Sequence, residues 1–169
     1  MAGDKYLYNN GGVVTERALV QTSAGAANAG DGVALNASGK IDDTMLSTVD
    51  TVTLPTSEDI SDGDWVNVWD DGGTISLRKA DASGGIGKKA DGYVKTGVTA
   101  PANAVMYKGG VNDADSGLTA GAVHYLSATP GAATATAPST AAYIVQVLGK
   151  ASTTTEMIVD IQESPIVLA

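Results

Sequence analysis

Two runs of residues, Asp64-Trp65-Val66-Asn67-Val68-Trp69 and Thr74-Ile75-Ser76-Leu77-Arg78-Lys79, are joined by Asp70-Asp71-Gly72-Gly73 and constrain this chain more than any other feature. Strand side chains alternate between faces. Val66 and Val68 therefore share one side, Trp65, Asn67 and Trp69 the other, and Ile75 and Leu77 line one side of the second run. Glycines after an Asp supply the positive-φ residues of a tight turn, so the spacing predicts a β-hairpin. From about Thr51 onward the same grammar repeats, with candidate strands at 90–98, 104–108, 122–127, 142–150 and 156–161. In the last of these, Met157, Val159 and Ile161 alternate with Glu156, Ile158 and Asp160, the pattern of a half-buried strand. The stretch 128–140 lacks large apolar residues and reads as a surface excursion in which 133–136 can pair as an edge strand. No segment of this region carries capped apolar residues at helical spacing. The expected fold is all-β, a small barrel or sandwich.

Residues 1–48 follow different rules. Short apolar clusters, Tyr6-Leu7-Tyr8, Val13-Val14 and Ala18-Leu19-Val20, are separated by Asn-Gly-Gly and by the small-residue run 23–30. None has a period long enough to build its own core, so this region reads as an extended, mostly irregular N-terminal arm. It ends, over 35–46, in a turn followed by at most one helical turn. The expected division is an arm at 1–48 and a β-rich body at 49–169. Large apolar side chains are scarce throughout: 21 residues are Gly, 5% are aromatic and none is Phe. Hydrophobic stabilisation scales with buried apolar area, so a modest core that relies on partner chains is expected.

Composition closes several functional classes. With no Cys there is no disulfide framework, zinc-thiolate site or cysteine nucleophile, and the absence of thiols suits a product that ends up outside a reducing compartment. His124 is the only histidine, so no multi-histidine metal site can form. A net charge of −9 and a pI near 4.3 oppose binding to nucleic acid backbones. The opening MAGDKYLYNNGG has no apolar signal region and no stretch is long and apolar enough to span a membrane, so a soluble product without a secretion signal is expected.

The remaining candidates for chemistry are weak. Ala82-Ser83-Gly84-Gly85-Ile86-Gly87-Lys88-Lys89 resembles a phosphate loop, yet it lacks the first Gly and the Ser/Thr of that motif and precedes a strand, so an inter-strand loop is expected. Asp59-Ile60-Ser61-Asp62-Gly63-Asp64 and Asp113-Ala114-Asp115-Ser116-Gly117 space carboxylates as calcium loops do, but Asp and Gly are also turn formers and no bidentate Glu follows. His124 lies in a strand-like run with no nucleophile motif aimed at it, and reads as a face or interface residue. Trp65 and Trp69 can form a sugar-stacking platform. With so few large residues available, core or subunit-interface use of Trp65, Trp69 and Tyr125 is the preferred reading. No catalytic group, cofactor or metal is assigned.

Several segments, taken in order, resemble the capsid decoration (cement) proteins of tailed bacteriophages. They are Ala37-Ser38-Gly39-Lys40-Ile41-Asp42, Asp62-Gly63-Asp64-Trp65-Val66-Asn67-Val68-Trp69 with Gly72-Gly73, Arg78-Lys79-Ala80-Asp81-Ala82-Ser83, Asp91-Gly92-Tyr93-Val94, the run from Gly117 to Ser127, and Ser164-Pro165-Ile166-Val167-Leu168-Ala169. The resemblance covers most of the chain and rests on order and spacing, each piece being short. It implies a non-enzymatic virion protein, assembled in the host cytoplasm, that oligomerises on the outer surface of the capsid and locks neighbouring major capsid protein subunits. A trimer is the preferred state and a dimer the alternative. Neither nucleic acid nor membrane is an implied partner. Within the arm, Tyr6, Leu7, Tyr8, Val13, Val14 and Leu19 are the candidate capsid contacts, since isolated apolar residues on an arm need a partner groove to bury them. A tail, collar or fibre component of the virion, or a carbohydrate-binding β-module, are the alternatives.

Overall fold

The computed structural model describes residues 5–41, 45 and 50–169. The chain divides into two compact units, Met1–Thr48 and Val49–Ala169. In the first, β1 (Lys5–Asn10) and β2 (Val13–Ala18) form an antiparallel hairpin with Asn10 opposite Val13. Gly11 and Gly12 make the two-residue connection at φ of 62° and 95°, a backbone that residues with a Cβ rarely adopt. Within the N-terminal arm, whose other described residues are mostly irregular, residues 5–18 thus form a hairpin. Asn-Gly-Gly, read as a spacer between clusters, is its turn signal. Beyond β2, Val20 bridges Val33 in parallel, and a short 3-10 turn occupies Gly25–Asn28. The Asn36 side-chain oxygen accepts the Ser38 and Lys40 N–H groups at 3.0 and 3.1 Å, which makes the expected turn. The helical turn expected after it falls on 42–46, where only Met45 lies among the described residues.

The second unit is all-β. β4 (Trp65–Asp71) and β5 (Thr74–Lys79) form the hairpin that the sequence predicts, with Gly72 and Gly73 at positive φ and the Asp70 carboxylate accepting the Gly73 N–H at 2.6 Å. They belong to a five-stranded antiparallel sheet that also contains β3 (Thr51–Pro55), β6 (Gly92–Val94) and β7 (Asn103–Tyr107), in the order β3-β7-β6-β4-β5. Just past β3, Thr56 bridges Leu77 in parallel, and Ser57 donates its N–H and its hydroxyl to the Leu77 carbonyl at 2.9 and 3.2 Å. The sheet therefore closes on itself as a small barrel. Val66, Leu77, Val94, Ala104 and Met106 fill its interior, with Ile60 added from the β3–β4 connection.

A second antiparallel sheet has the order β10-β9-β12-β13-β8. Its strands are β8 (Val111–Asn112), β9 (Val123–Leu126), β10 (Ala133–Thr134), β12 (Val147–Ala151) and β13 (Met157–Val159). The short pair β11 (Ile144–Val145) and β14 (Ile166–Val167) stands apart from it. A second core unites Trp65 and Tyr93 from the first sheet with Leu126, Leu148 and Met157 from the second, and with Ile144 of β11. Adjacent residues of β4, Trp65 and Val66, thus serve different cores and are both fully buried. The alternation read from sequence holds, but both of its faces are covered.

One further expectation is revised, and the edge strand expected within 128–140 is present. The run 142–150 is two strands, β11 pairing with β14 and β12 with β9 and β13; between them Gln146 accepts the Leu126 N–H on its backbone carbonyl at 2.9 Å and turns its side chain inward. Its Oε1 accepts the Ala90 N–H at 2.8 Å, while its Nε2 donates to the Ala90 and Gln162 carbonyls at 2.9 and 3.0 Å. A buried amide must find such partners, and here it takes the place of a neighbouring strand for Ala90. The excursion 128–140 does contribute an edge strand, β10, which pairs with β9.

Candidate functional site

The candidate contact residues of the N-terminal unit separate by hairpin face. Cross-strand register places Leu7 and Val14 on one face, diagonal to one another and beside the Lys5–Glu16 ion pair of 2.8 Å. Tyr8 and Val13 occupy the other face, where the Arg17 guanidinium lies 5.4 Å from the Tyr8 ring centroid. Leu7, Val13 and Val14 are 74%, 63% and 64% exposed, far beyond what isolated surface residues of a closed core require. Tyr6 and Leu19 differ from this group: both are half-buried, and both lie where a side chain at Gly32 would have to go. They build the small interior of this unit, together with the Arg17–Asp31 ion pair of 2.6 Å. Val13 and Val14, adjacent in sequence, point to opposite sides. Each face of the ribbon therefore carries a pair of exposed apolar side chains among polar and charged ones, and among the described residues each of its two strands has one unpaired edge.

In the body, Trp65 is a core residue. Its ring packs 5.6 Å from that of Tyr93, and its indole N–H donates to the Asp115 carboxylate at 3.2 Å. Trp69 is half-buried, donates to the Ser57 hydroxyl at 3.0 Å and is covered by the Arg78 guanidinium at 4.5 Å. With one ring buried and the other capped by a cation, the two tryptophans offer no shared stacking platform. Tyr125 is half-buried on the side of β9 opposite His124. His124 is not a face or interface residue: it is buried beside Leu126, accepts the Thr119 N–H on Nε2 at 3.1 Å, and has Nδ1 3.2 Å from the Ala122 carbonyl. Both nitrogens face backbone groups, which leaves none aimed at a reacting atom.

The spaced carboxylates serve as local braces. Asp59, Asp62 and Asp64 accept backbone N–H groups of Ala100, Gly97 and Ser61, at 2.9, 2.6 and 2.7 Å. Asp113 pairs with Lys95 at 2.9 Å, and the hydrogen bond from that ammonium holds its carboxyl below the usual range. Burial pushes the Asp115 carboxyl up, against the hydrogen bonds from Ser116 and Trp65. Among the described residues no three carboxylate or imidazole groups gather as a metal site. The Gly-rich segment forms 3-10 turns over Ala82–Lys88, capped by the Asp81 carboxylate, which accepts the Ser83 N–H at 2.8 Å. No helix follows that could present amide groups to a phosphate.

One polar constellation escaped the sequence. Asn67, near the middle of β4, receives Arg78 Nε on its Oδ1 at 2.9 Å and donates to the Asp91 carboxylate and the Lys89 carbonyl at 3.0 and 2.9 Å. Lys89 closes the network on Asp91 at 3.3 Å, at the edge of an open cleft of about 470 Å³. Each of these groups is paired within the chain, so the arrangement braces β4 against the segment before β6. An Asn among alternating apolar residues was its only signal. Against known proteins, no family model, no curated protein and no solved structure matches this chain.

Proposed function

We propose that this chain is a structural protein of a phage virion, a capsid decoration protein that binds the outer surface of the major capsid shell and stabilises it. The observation that carries this reading is the exposed apolar pair on each face of the N-terminal ribbon, Leu7 and Val14 on one side and Tyr8 and Val13 on the other. A hairpin of this kind is a docking element: its free edges offer backbone pairing and its apolar side chains fill pockets on a partner. The ordered segmental resemblance to cement proteins supports the same reading. So does the inward use of the polar side chains, which are spent on turns and braces and not gathered in a reactive cleft. A shell repeats each docking site many times, so modest individual contacts accumulate into stable coating.

The test is to mix the purified full-length protein with undecorated, expanded capsids. Saturable binding and greater resistance of the shells to heat are expected. Leu7→Ser with Val14→Ser is expected to weaken binding by tenfold or more, the usual scale for removing central apolar anchors. Absence of saturable binding would reject the reading. Labelling on intact particles separates shell from tail: density confined to one vertex would move the protein to a tail or collar.

A further inference from the structure

We infer that the outer face of the second sheet is a self-association surface, and that its occupant is the same face of a second copy of this chain. Register places Val123 of β9 opposite Lys150 of β12, Lys150 opposite Ile158 of β13, and Ile158 opposite Val111 of β8. These four side chains form a row across four strands, about 15 Å long at the usual strand spacing. Ile158 is 55% exposed and the two valines 42% each. Tyr125 and Val147, paired with one another and half-buried, begin a second row beside the first. A sheet face meant for water carries polar residues at such positions. Here β-branched residues occupy three of the four positions, while His124 points inward.

Charge selects the occupant. Lys150 is exposed in the middle of the row and forms no ion pair among the described residues. Glu156 and Asp160 lie two residues to either side of Ile158, just beyond the ends of β13. The face thus carries a central cation and two flanking carboxylates around an apolar row. Laid on itself, it brings each lysine toward the other copy's carboxylates. A uniformly acidic partner would confront Glu156 and Asp160, and a uniformly basic one would confront Lys150. Self-complementarity is also what a two-fold contact demands, since the same patch serves both sides. Four side chains and one flanking pair are far fewer than the roughly 20–30 residues a side of a standard stable interface, so the association is weak and concentration-dependent. This inference rests on register and charge and is independent of the capsid reading.

Sedimentation equilibrium of the full-length protein, from about 1 μM to about 1 mM, tests it. Reversible self-association is expected. Ile158→Lys and, separately, Val111→Lys are each expected to weaken it about tenfold or more, with thermal melting unchanged because both sites are exposed. Lys150→Glu alone, and Glu156→Lys with Asp160→Lys in another chain, are expected to lose self-association by putting like charges together. Mixing those two variants is expected to restore it as a hetero-oligomer. A wild-type protein that stays monomeric across the range overturns the inference. So does association indifferent to both Ile158→Lys and Val111→Lys, or a charge-swapped pair that fails to combine.

Discussion

The N-terminal hairpin and the β4–β5 hairpin are built from the same materials, alternating β-branched and aromatic residues around a Gly-Gly turn, and they end in opposite states. In the first, Leu7, Val13 and Val14 stand in solvent on both faces of a lone ribbon. In the second, Trp65 and Val66 disappear into separate cores on the two faces of a closed sheet. Local pattern decides that a hairpin forms. Whether its faces are covered depends on how many other strands arrive, and a two-stranded ribbon has none to spare.

The strongest challenge to this contrast is Trp65→Ala, which removes the side chain joining the barrel to the second sheet. A loss of about 3–5 kcal/mol is expected in denaturant unfolding of the body, and a loss under about 1 kcal/mol would mean the two sheets do not share a core. Gln146→Leu comes next. It strands the Ala90 N–H and carbonyl in the interior, at an expected cost of about 2–4 kcal/mol, read as a lower denaturation midpoint with unchanged slope.

A pH scan adds a third measurement. Burial, with lesser contributions from Asp113 and Tyr107, pushes the Tyr93 phenol from 10.0 to about 12. The unfolded chain then releases this proton at lower pH than the folded one. Stability is unaffected by it below pH 10.0 and falls as pH rises from there to about 12. Tyr93→Phe is expected to flatten that decline in an alkaline melting series. The smallest effect belongs to the other hairpin: Leu7→Ser or Val14→Ser is expected to leave the body's unfolding within about 0.5 kcal/mol of wild type. A larger shift would show that the ribbon is not surplus to the fold.

The β class, the β4–β5 hairpin and its Gly-Gly turn were legible because each rests on short-range pattern. The half-burial of β13 was legible for the same reason: Met157 is buried and Ile158 exposed, as alternation requires. Coverage was not legible. Trp65 is covered by Leu126, Leu148 and Met157, and Val66 by Val94, Ala104 and Met106, all from strands that come well after the hairpin in the chain. His124 misled for a different reason, since β9 turns its polar residue inward and its Val123 outward, the reverse of the usual sorting. That reversal could be rationalised only once the backbone partners of the imidazole at Thr119 and Ala122 were in place. Among the contact candidates, Leu7, Tyr8, Val13 and Val14 are exposed while Tyr6 and Leu19 pack around Gly32, a separation that the apolar clusters alone did not carry.

The parallel bridge that closes the barrel also bears on how quickly its parts can assemble. Ser57 and Leu77 are 20 residues apart, and the β4–β5 turn lies between them, whereas β3 must wait for β7 at residues 103–107. The entropy lost in closing a loop grows with its length, so the 56–77 seam and its hairpin are expected to order before the opposite side of the barrel. Folding kinetics of Leu77→Ala and Met106→Ala read this directly: a φ-value of about one half or more at Leu77 and near zero at Met106 is the expected pattern. A nascent chain would then hold one wall of its barrel before the residues of the other had been synthesised.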